Sequence, residues 1–202
     1  MFYHNKIVNK LKEFGKAQEG LAYIEFALSI TILMMLFLGA VELTRAFLII
    51  QKIEKTVSTL ADVVAQTDPN STPVTSTQMS QLMSAVDDMM NPYSSGMTDT
   101  RILAIVTSVT KTGVANPVIN WQYCGGGGLS VTSKLGKTIG GTATLPSGFT
   151  MNSGEEAIIG EVFYNFTPII ASNNIIGSFQ IYRYSIFMPR LGALTAFSSN
   201  CP

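Results

Sequence analysis

The most prominent hydrophobic pattern is a continuous apolar run near the N-terminus. It extends from Leu21 to Val41, and its polar members are Glu25, Ser29 and Thr31. At about 1.5 Å per residue, a helix over this run is about 32 Å long, which is enough to cross a bilayer. No small-residue cleavage site follows the run, so we expect it to remain attached as a membrane anchor.

Apolar residues continue beyond the run at the three- and four-residue spacing of an amphipathic helix. They are Phe47, Ile50, Ile53, Val57, Leu60, Val63 and Val64. No Gly or Pro lies between Gly39 and Pro69. The pattern predicts one continuous helix that becomes amphipathic after Arg45 and ends near Gln66. A membrane helix followed by a separate surface helix is the alternative.

A linker and a short helix are predicted next. Residues 68–77 are rich in Pro, Ser, Thr and Asn, which is typical of a linker. Thr75 and Gln78 have the spacing of a capping box, and Asn91 and Pro92 close the helix that this box opens. The apolar residues of this helix are Met79, Leu82, Met83, Val86 and Met90. Methionines at this spacing indicate core packing.

Four later segments are rich in β-branched and aromatic residues and predict an antiparallel sheet. They are Arg101 to Thr110, Val118 to Tyr123, Ala157 to Phe166, and Ile175 to Phe187. The stretch from Gly125 to Gly154 predicts a long loop or an extra hairpin. The predicted fold class is α+β, with a long transmembrane-to-amphipathic helix followed by an exported domain that contains the sheet and the short helix.

Charge gives the predicted orientation. Lysines precede the anchor at positions 6, 10, 12 and 16, whereas only Arg45, Lys52 and Lys55 follow it closely. This bias predicts a cytoplasmic N-terminus and an exported C-terminal part. The predicted divisions are a cytoplasmic basic leader at 1–20, a transmembrane helix at 21–42, an amphipathic extension at 43–66, a linker at 67–77 and a periplasmic α+β domain at 78–202.

Composition narrows the possible functions. The 202 residues are 47% hydrophobic and 13% charged, with a mean hydropathy of +0.30, which fits one anchored domain. The formal net charge is zero and no basic stripe follows the N-terminus, so we expect no nucleic-acid partner. Trp121 and Tyr123 are interpreted as strand residues that pack near Cys124 rather than as a sugar platform.

Catalytic and metal sites have little support. The single histidine is His4, so the exported part has no base for Ser-His or Cys-His chemistry and no histidine ligand. Two adjacent acidic pairs, Asp87–Asp88 and Glu155–Glu156, are interpreted as solvated. The glycine that a phosphate-binding loop needs before Gly136 is replaced by Val131. Paired-carboxylate hydrolysis stays open, but we expect no catalytic residue, cofactor, metal or small-molecule substrate.

The two cysteines, Cys124 and Cys201, lie in the predicted exported part, where an even number usually indicates a disulfide. Such a bond would stabilise the domain by on the order of 4 kcal/mol, because it restricts the unfolded chain. Two buried thiols are the alternative.

The start of the apolar run contains the most specific feature. Gly20 follows the basic leader, and Glu25 is the fifth residue of the run. A charged side chain costs roughly 2.5 to 3.5 kcal/mol at mid-membrane and less near the ends, so this carboxylate requires an explanation. A plain signal anchor whose carboxylate reaches the headgroups is one interpretation.

The same residues carry a family resemblance. The motif consists of a glycine, four further residues, a glutamate and an aromatic residue. It resembles the site at which a prepilin peptidase cuts type IV-like prepilins. The string from Glu19 to Leu28, with the later positions Gly39, Val41, Glu42 and Arg45, resembles the N-terminal signature of the TadE-like family. These proteins are minor pseudopilins of the tight-adherence (Flp) pilus system. Two later segments agree with the same family. Its aromatic-x-x-x-Pro turn resembles Glu161 to Tyr164 with Pro168, and its closing Pro-Arg resembles Met188, Pro189 and Arg190.

The resemblance implies a non-enzymatic pilus assembly protein of the bacterial inner membrane that spans it once. Cleavage between Gly20 and Leu21 would create an ammonium one helical turn from Glu25, and such a pair neutralises charge in packed pilin helices. Glu25 and Phe26 are then assembly residues, and Phe26 in place of the tyrosine of major Flp pilins favours a minor subunit. The implied partners are the membrane, a prepilin peptidase and other pilins. A membrane-tethered binding or adhesin module is the main alternative.

Overall fold

The computed structural model describes residues 18–68, 75–169, 177–194 and 201. Two helices come first, α1 over Gln18–Ala65 and α2 over Ser76–Met90. Four strands follow, namely β1 over Ile102–Thr110, β2 over Val118–Gly125, β3 over Glu156–Phe166 and β4 over Phe179–Phe187. The predicted α+β class is confirmed.

Helix α1 is continuous over 48 residues, as the uninterrupted pattern predicts, so no second surface helix is present within it. Its N-terminal half is left uncovered by the described domain, whereas its C-terminal half buries one face. The buried apolar residues of that face are Ile49, Ile53, Val57, Leu60, Ala61, Val64 and Ala65. The amphipathic part of α1 therefore belongs to the folded body.

Helix α2 begins with the predicted capping box. Gln78 N donates to Thr75 Oγ1 at 3.2 Å, and Thr75 N donates to Gln78 Oε1 at 2.9 Å. These two bonds satisfy backbone and side-chain groups at the helix start. The helix ends at its C-cap Asn91 and buries Met79, Met83, Val86 and Met90, so the methionines are core residues as predicted.

The four strands form one antiparallel sheet in the order β2-β1-β3-β4. The first three strands start within one residue of their predicted positions, and β2 continues to Gly125. The fourth begins at Phe179, while residues 175 and 176 of the predicted segment lie outside the described residues.

The sheet is covered on both faces. Helices α1 and α2 pack on one face, and α1 comes close to the sheet at Gly160, where an added Cβ would lie 3.1 Å from Ala61 Cβ. The other face is covered by the segment between β2 and β3, which contributes Leu135, Ala143 and Met151 to a second core. This segment is a long loop with one isolated bridge, Val118 to Thr142, among its described residues. The molecule thus has a helix layer, a sheet and a loop layer.

A β-bulge in β2 puts Ile119 and Trp121 on opposite faces of the sheet. Ser108 pairs with Trp121, but Val109 pairs with Ile119, so one residue of β2 is extra. Ile119 therefore faces the loop layer, whereas Trp121 is buried against the helix layer. Tyr123 lies on the same side as Trp121, and Cys124 lies in the cluster on the opposite side. Both aromatic residues are strand residues, as predicted, but their side chains lie on the face opposite to that of Cys124.

Candidate functional site: the anchoring helix and its junction with the domain

The predicted processing and assembly residues all lie at the start of α1. Gly20, Leu21, Glu25 and Phe26 are exposed and helical. Leu21 and Glu25 are four positions apart, so they share one face of the helix. The structure thus places both on the part of α1 that the described domain does not cover.

This uncovered part of α1 is an extended apolar surface. Large exposed apolar side chains occupy all its faces, namely Leu21, Tyr23, Ile24, Phe26, Leu28, Ile32, Leu33, Met34, Met35, Leu36 and Phe37. A soluble protein rarely exposes such a surface, so lipid or other helices must cover it. The hydroxyl of Thr31 donates to Ala27 O at 2.7 Å, which satisfies this polar group within the helix.

The point where α1 leaves this apolar stretch carries a partly buried ion pair. Glu42 directly follows Val41 and is only 3% exposed. Its Oε1 accepts from Arg45 Nη1 at 2.9 Å and from Ile169 N at 3.2 Å. Arg45 Nη1 also donates to Thr167 O at 3.1 Å. We refer to Glu42, Arg45, Thr167 and Ile169 as the junction clasp.

The junction clasp fixes α1 to the end of β3. Its charges are paired and hydrogen-bonded, as buried charges must be. The Arg45 guanidinium also lies 5.0 Å from the centre of the Phe166 ring, which adds a cation–π contact. Because the backbone of the turn supplies two of the partners, the position of the turn relative to α1 is set by direct hydrogen bonds.

The clasp also joins two parts of the family resemblance. Glu42 and Arg45 belong to the N-terminal signature, and Thr167 and Ile169 flank Pro168 of the aromatic-x-x-x-Pro turn. At the other end of α1, Arg190 N donates to Ala65 O at 3.1 Å, and Arg190 Nη2 lies 3.1 Å from Asp62 Oδ1. The closing Pro-Arg therefore holds the C-terminus of α1.

A second buried carboxylate lies in the middle of β3. Glu161 is fully buried on the loop-facing side of the sheet. It accepts hydrogen bonds from Ser133 Oγ, from Lys134 N at 3.0 Å and from Tyr182 OH at 2.9 Å. Burial raises the pKa of Glu161, although these hydrogen bonds and the nearby Lys134 act in the opposite direction. The carboxylate ties the loop layer to β3 and β4.

Sequence reasoning named Glu161 only as part of the family resemblance and missed this structural role. The available signal was an acidic residue within a strand whose other residues are almost all apolar. Lys134 Nζ lies 3.8 Å from the centre of the Tyr182 ring, so the cluster has a cation at its rim. Burial and the Glu161 carboxylate both raise the pKa of Tyr182, which therefore stays a neutral hydrogen-bond donor.

The acidic pairs are not simply solvated. Glu156 is buried and accepts from Ser108 Oγ at 2.7 Å and from Leu194 N at 2.8 Å, and burial raises its pKa. The interpretation of Glu156 as solvated is therefore wrong. Asp87 accepts from Ser94 Oγ and, at 3.1 Å, from Gly96 N. Both carboxylates hold neighbouring loops in place.

The predicted disulfide is present. Cys124 of β2 and Cys201 are bonded, and their Cα atoms are 5.1 Å apart. The bond attaches the last described residue to the loop-facing side of the sheet, where Leu103, Ile105 and Phe163 form a small core. Within the described residues, no group of three or more His, Cys, Asp or Glu side chains is placed to hold a metal ion.

The comparison with protein families concerns the segment just described. Residues 20–62 match the family model of TadE-like proteins. The match covers the apolar half of α1, the junction residues Glu42 and Arg45, and most of the amphipathic half. It confirms the N-terminal part of the resemblance and supports a protein associated with the Tad pilus. No curated protein and no solved structure matches the chain.

TadE-like pilus proteins are structural proteins rather than enzymes. Among the described residues, α1 is the one helix that is long and apolar enough to cross a membrane. Together with the family match, this helix indicates a single-pass anchor and pilus machinery as the partner.

Proposed function

We propose that this protein is a minor pseudopilin that takes part in assembly of a tight-adherence pilus. It is inserted in the inner membrane with its N-terminus in the cytoplasm and its sheet domain in the periplasm. The observation that carries the proposal is the TadE-like segment 20–62, which contains a glutamate within an otherwise apolar helix surface. The described part of the domain leaves that surface uncovered, so the surface is available to other helices.

The proposed maturation step is cleavage by a prepilin peptidase between Gly20 and Leu21. It removes the basic leader and leaves an ammonium on Leu21. Because Leu21 and Glu25 share one face of α1, the new positive charge and the carboxylate lie one turn apart. Pairing of these charges, within one subunit or between neighbouring subunits, offsets the cost of placing each in hydrocarbon.

Mass spectrometry of the protein from its native membrane tests the maturation step. We expect a mature chain that begins at Leu21, and we expect Gly20→Val to retain the leader because the residue before the cut is changed. The control is Gly15→Val, which alters a glycine inside the leader and should leave processing unchanged. A native chain that still begins at Met1, in cells with an active prepilin peptidase, would contradict the proposal.

The role of Glu25 is tested separately from membrane insertion. We expect Glu25→Ala to leave the protein in the membrane but to abolish piliation, since the charge partner of the new N-terminus is lost. Glu54→Ala is the matched control, because Glu54 lies on the exposed side of the same helix and pairs only with Arg183 at the surface. Normal pili in the Glu25→Ala strain would rule out the assembly role.

A membrane-tethered binding module is distinguished by exchanging the anchor. Replacement of residues 1–41 with an unrelated signal anchor keeps Glu42 and therefore the junction clasp. A pseudopilin should lose its function in this chimera, although the domain still folds and forms its disulfide. Retained function would favour the tethered module.

A further inference from the structure

The end of the domain nearest the anchor carries an exposed apolar side chain, Ile169. It lies beside the residue of α1 at which the apolar run ends. Ile169 is 70% exposed, although its backbone N–H is bonded to the buried side chain of Glu42. Glu42 directly follows Val41, the last residue of the apolar run. The junction clasp therefore holds the Ile169 side chain close to the membrane boundary that the anchor defines.

An apolar groove begins at the same level. One stripe of α1, formed by Phe37, Val41, Thr44 and Leu48, makes one wall, and Tyr93 from the connection after α2 makes the other. The groove has a volume of about 400 Å³. Its lower end is continuous with the uncovered apolar surface of the anchor, so it extends that surface onto the domain.

The side chains around the groove have the chemistry of a membrane interface. Tyrosine is enriched at the headgroup level, where its ring is covered and its hydroxyl meets water. The ammonium of Lys52 lies 5.6 Å from the centre of the Tyr93 ring, and Arg45 also lines the groove. A basic side chain near the membrane boundary attracts anionic headgroups while its aliphatic part covers apolar surface, and Arg45 lies at this position.

We propose that the membrane-proximal end of the domain rests on the bilayer that holds α1. Ile169 enters the region between headgroups and upper acyl chains, and the acyl chain of a phospholipid occupies the groove beside Tyr93. The inference rests on α1 spanning a membrane, which is part of the proposed function. It adds a second lipid contact that fixes the orientation of the sheet domain relative to the membrane.

Lipid is favoured over a second protein because the groove and the anchor form one surface. The domain is also connected rigidly to the anchor. Helix α1 is continuous from the anchor to Ala65, and the junction clasp attaches the turn after β3 directly to this helix. The domain therefore cannot rotate away from the membrane without breaking the hydrogen bonds of the junction clasp. Any phospholipid that surrounds the end of the anchor is then next to Ile169.

Tryptophan scanning in vesicles tests the lipid contact. The full chain is reconstituted in phosphatidylcholine and phosphatidylglycerol vesicles that contain lipids brominated high on the acyl chain, and bromine quenching of tryptophan is measured. The probes are Ile169→Trp and Tyr93→Trp. Val114→Trp is the matched control, because Val114 is exposed in the turn between β1 and β2, at the opposite end of the sheet. The native Trp121 is buried, so the wild-type signal serves as background.

We expect bromine to quench Ile169→Trp and Tyr93→Trp and to leave Val114→Trp unaffected. Leu36→Trp, inside the apolar run of the anchor, reports separately on insertion. Quenching of Leu36→Trp without quenching of Ile169→Trp would overturn the inference while leaving the anchor intact. Emission from Ile169→Trp that is shifted to shorter wavelength without bromine quenching would also overturn it, because a protein surface such as α1 of a second copy would then cover the site. Absence of quenching in Leu36→Trp would contradict the anchor itself.

Discussion

Two glutamates show how this chain places charge in apolar surroundings. Glu42 is paired with an arginine and a backbone amide, whereas Glu161 is surrounded by neutral donors with a lysine nearby. In both cases the carboxylate is bonded to a segment distant in sequence. Each glutamate therefore connects two segments of the folded chain.

The buried Glu161 should make stability depend on pH. Burial raises its pKa above the ordinary value of 4.5. At pH values between 4.5 and the raised pKa, Glu161 is still protonated in the folded protein but has lost its proton in the unfolded chain. The free energy of unfolding therefore falls as pH rises through this range. Glu161→Gln cannot ionise, and we expect its stability relative to wild type to improve as pH rises above about 4.5. Chemical denaturation of the full chain in detergent, at a series of pH values, measures this difference.

Glu155→Gln is the control for this experiment. The pKa of Glu155 is lowered by hydrogen bonds from Asn152, so its contribution has the opposite sign and is lost as pH falls. Arg101 holds the pKa of Asp99 low. The effect of Asp99 on the pH dependence of stability is the same in wild type, Glu161→Gln and Glu155→Gln, so it cancels in the comparison. A Glu161→Gln difference that stays constant with pH would show that Glu161 does not carry a raised pKa.

At the scale of elements, the junction clasp attaches helix α1 to the turn after β3, and this attachment should contribute to stability. Removal of Glu42 leaves the Arg45 guanidinium and the Ile169 amide without this acceptor. We expect Glu42→Ala to lower the free energy of unfolding by about 1–3 kcal/mol, because buried polar groups lose their partner. Equilibrium denaturation followed by the fluorescence of the buried Trp121 measures the loss.

Glu54→Ala provides the comparison on the same helix. Glu54 also pairs with an arginine, Arg183, but both side chains are substantially exposed. An exposed pair contributes about 0–1 kcal/mol, so the control should lose much less than the clasp variant. Equal losses in the two variants would mean that burial of the clasp adds nothing to stability.

The three layers of the protein are connected by contacts between distant parts of the chain. The disulfide is one such connection, because it joins Cys124 of β2 to Cys201 across a sequence separation of 77. It attaches the end of the chain to the sheet, in the cluster that also includes Leu129 and Val131 of the loop layer. Loss of the bond should therefore affect the whole domain.

We expect reduction of the disulfide to change the mobility of the unfolded protein on a gel, and Cys124→Ser to remove that shift. The variant should also lose about 2–5 kcal/mol of stability, because the unfolded chain gains conformational freedom. Cys201→Ser and the double variant should show the same loss as Cys124→Ser, since all three remove one bond. An unchanged mobility after reduction would indicate two thiols.

Local patterns in the sequence determined the elements of this protein. The apolar run and its amphipathic continuation predict α1, Thr75 and Gln78 predict the start of α2, and β-branched segments predict the four strands. These features follow from residues that are neighbours along the chain, so their spacing is sufficient to identify them. The family resemblance at 20–62 is likewise contained in one continuous segment.

Only the tertiary structure decided how these elements meet. Glu42 binds Ile169 across 127 positions, and Glu161 binds Ser133 across 28, and no local periodicity specifies either partner. A single extra residue in β2 puts Ile119 and Trp121 on opposite faces of the sheet although they are two positions apart, because one insertion reverses the alternation of side chains. The long loop between β2 and β3 is likewise a layer of the core that only the tertiary structure shows. Its apolar residues have no periodic spacing, so the folded sheet alone determines which residues they contact.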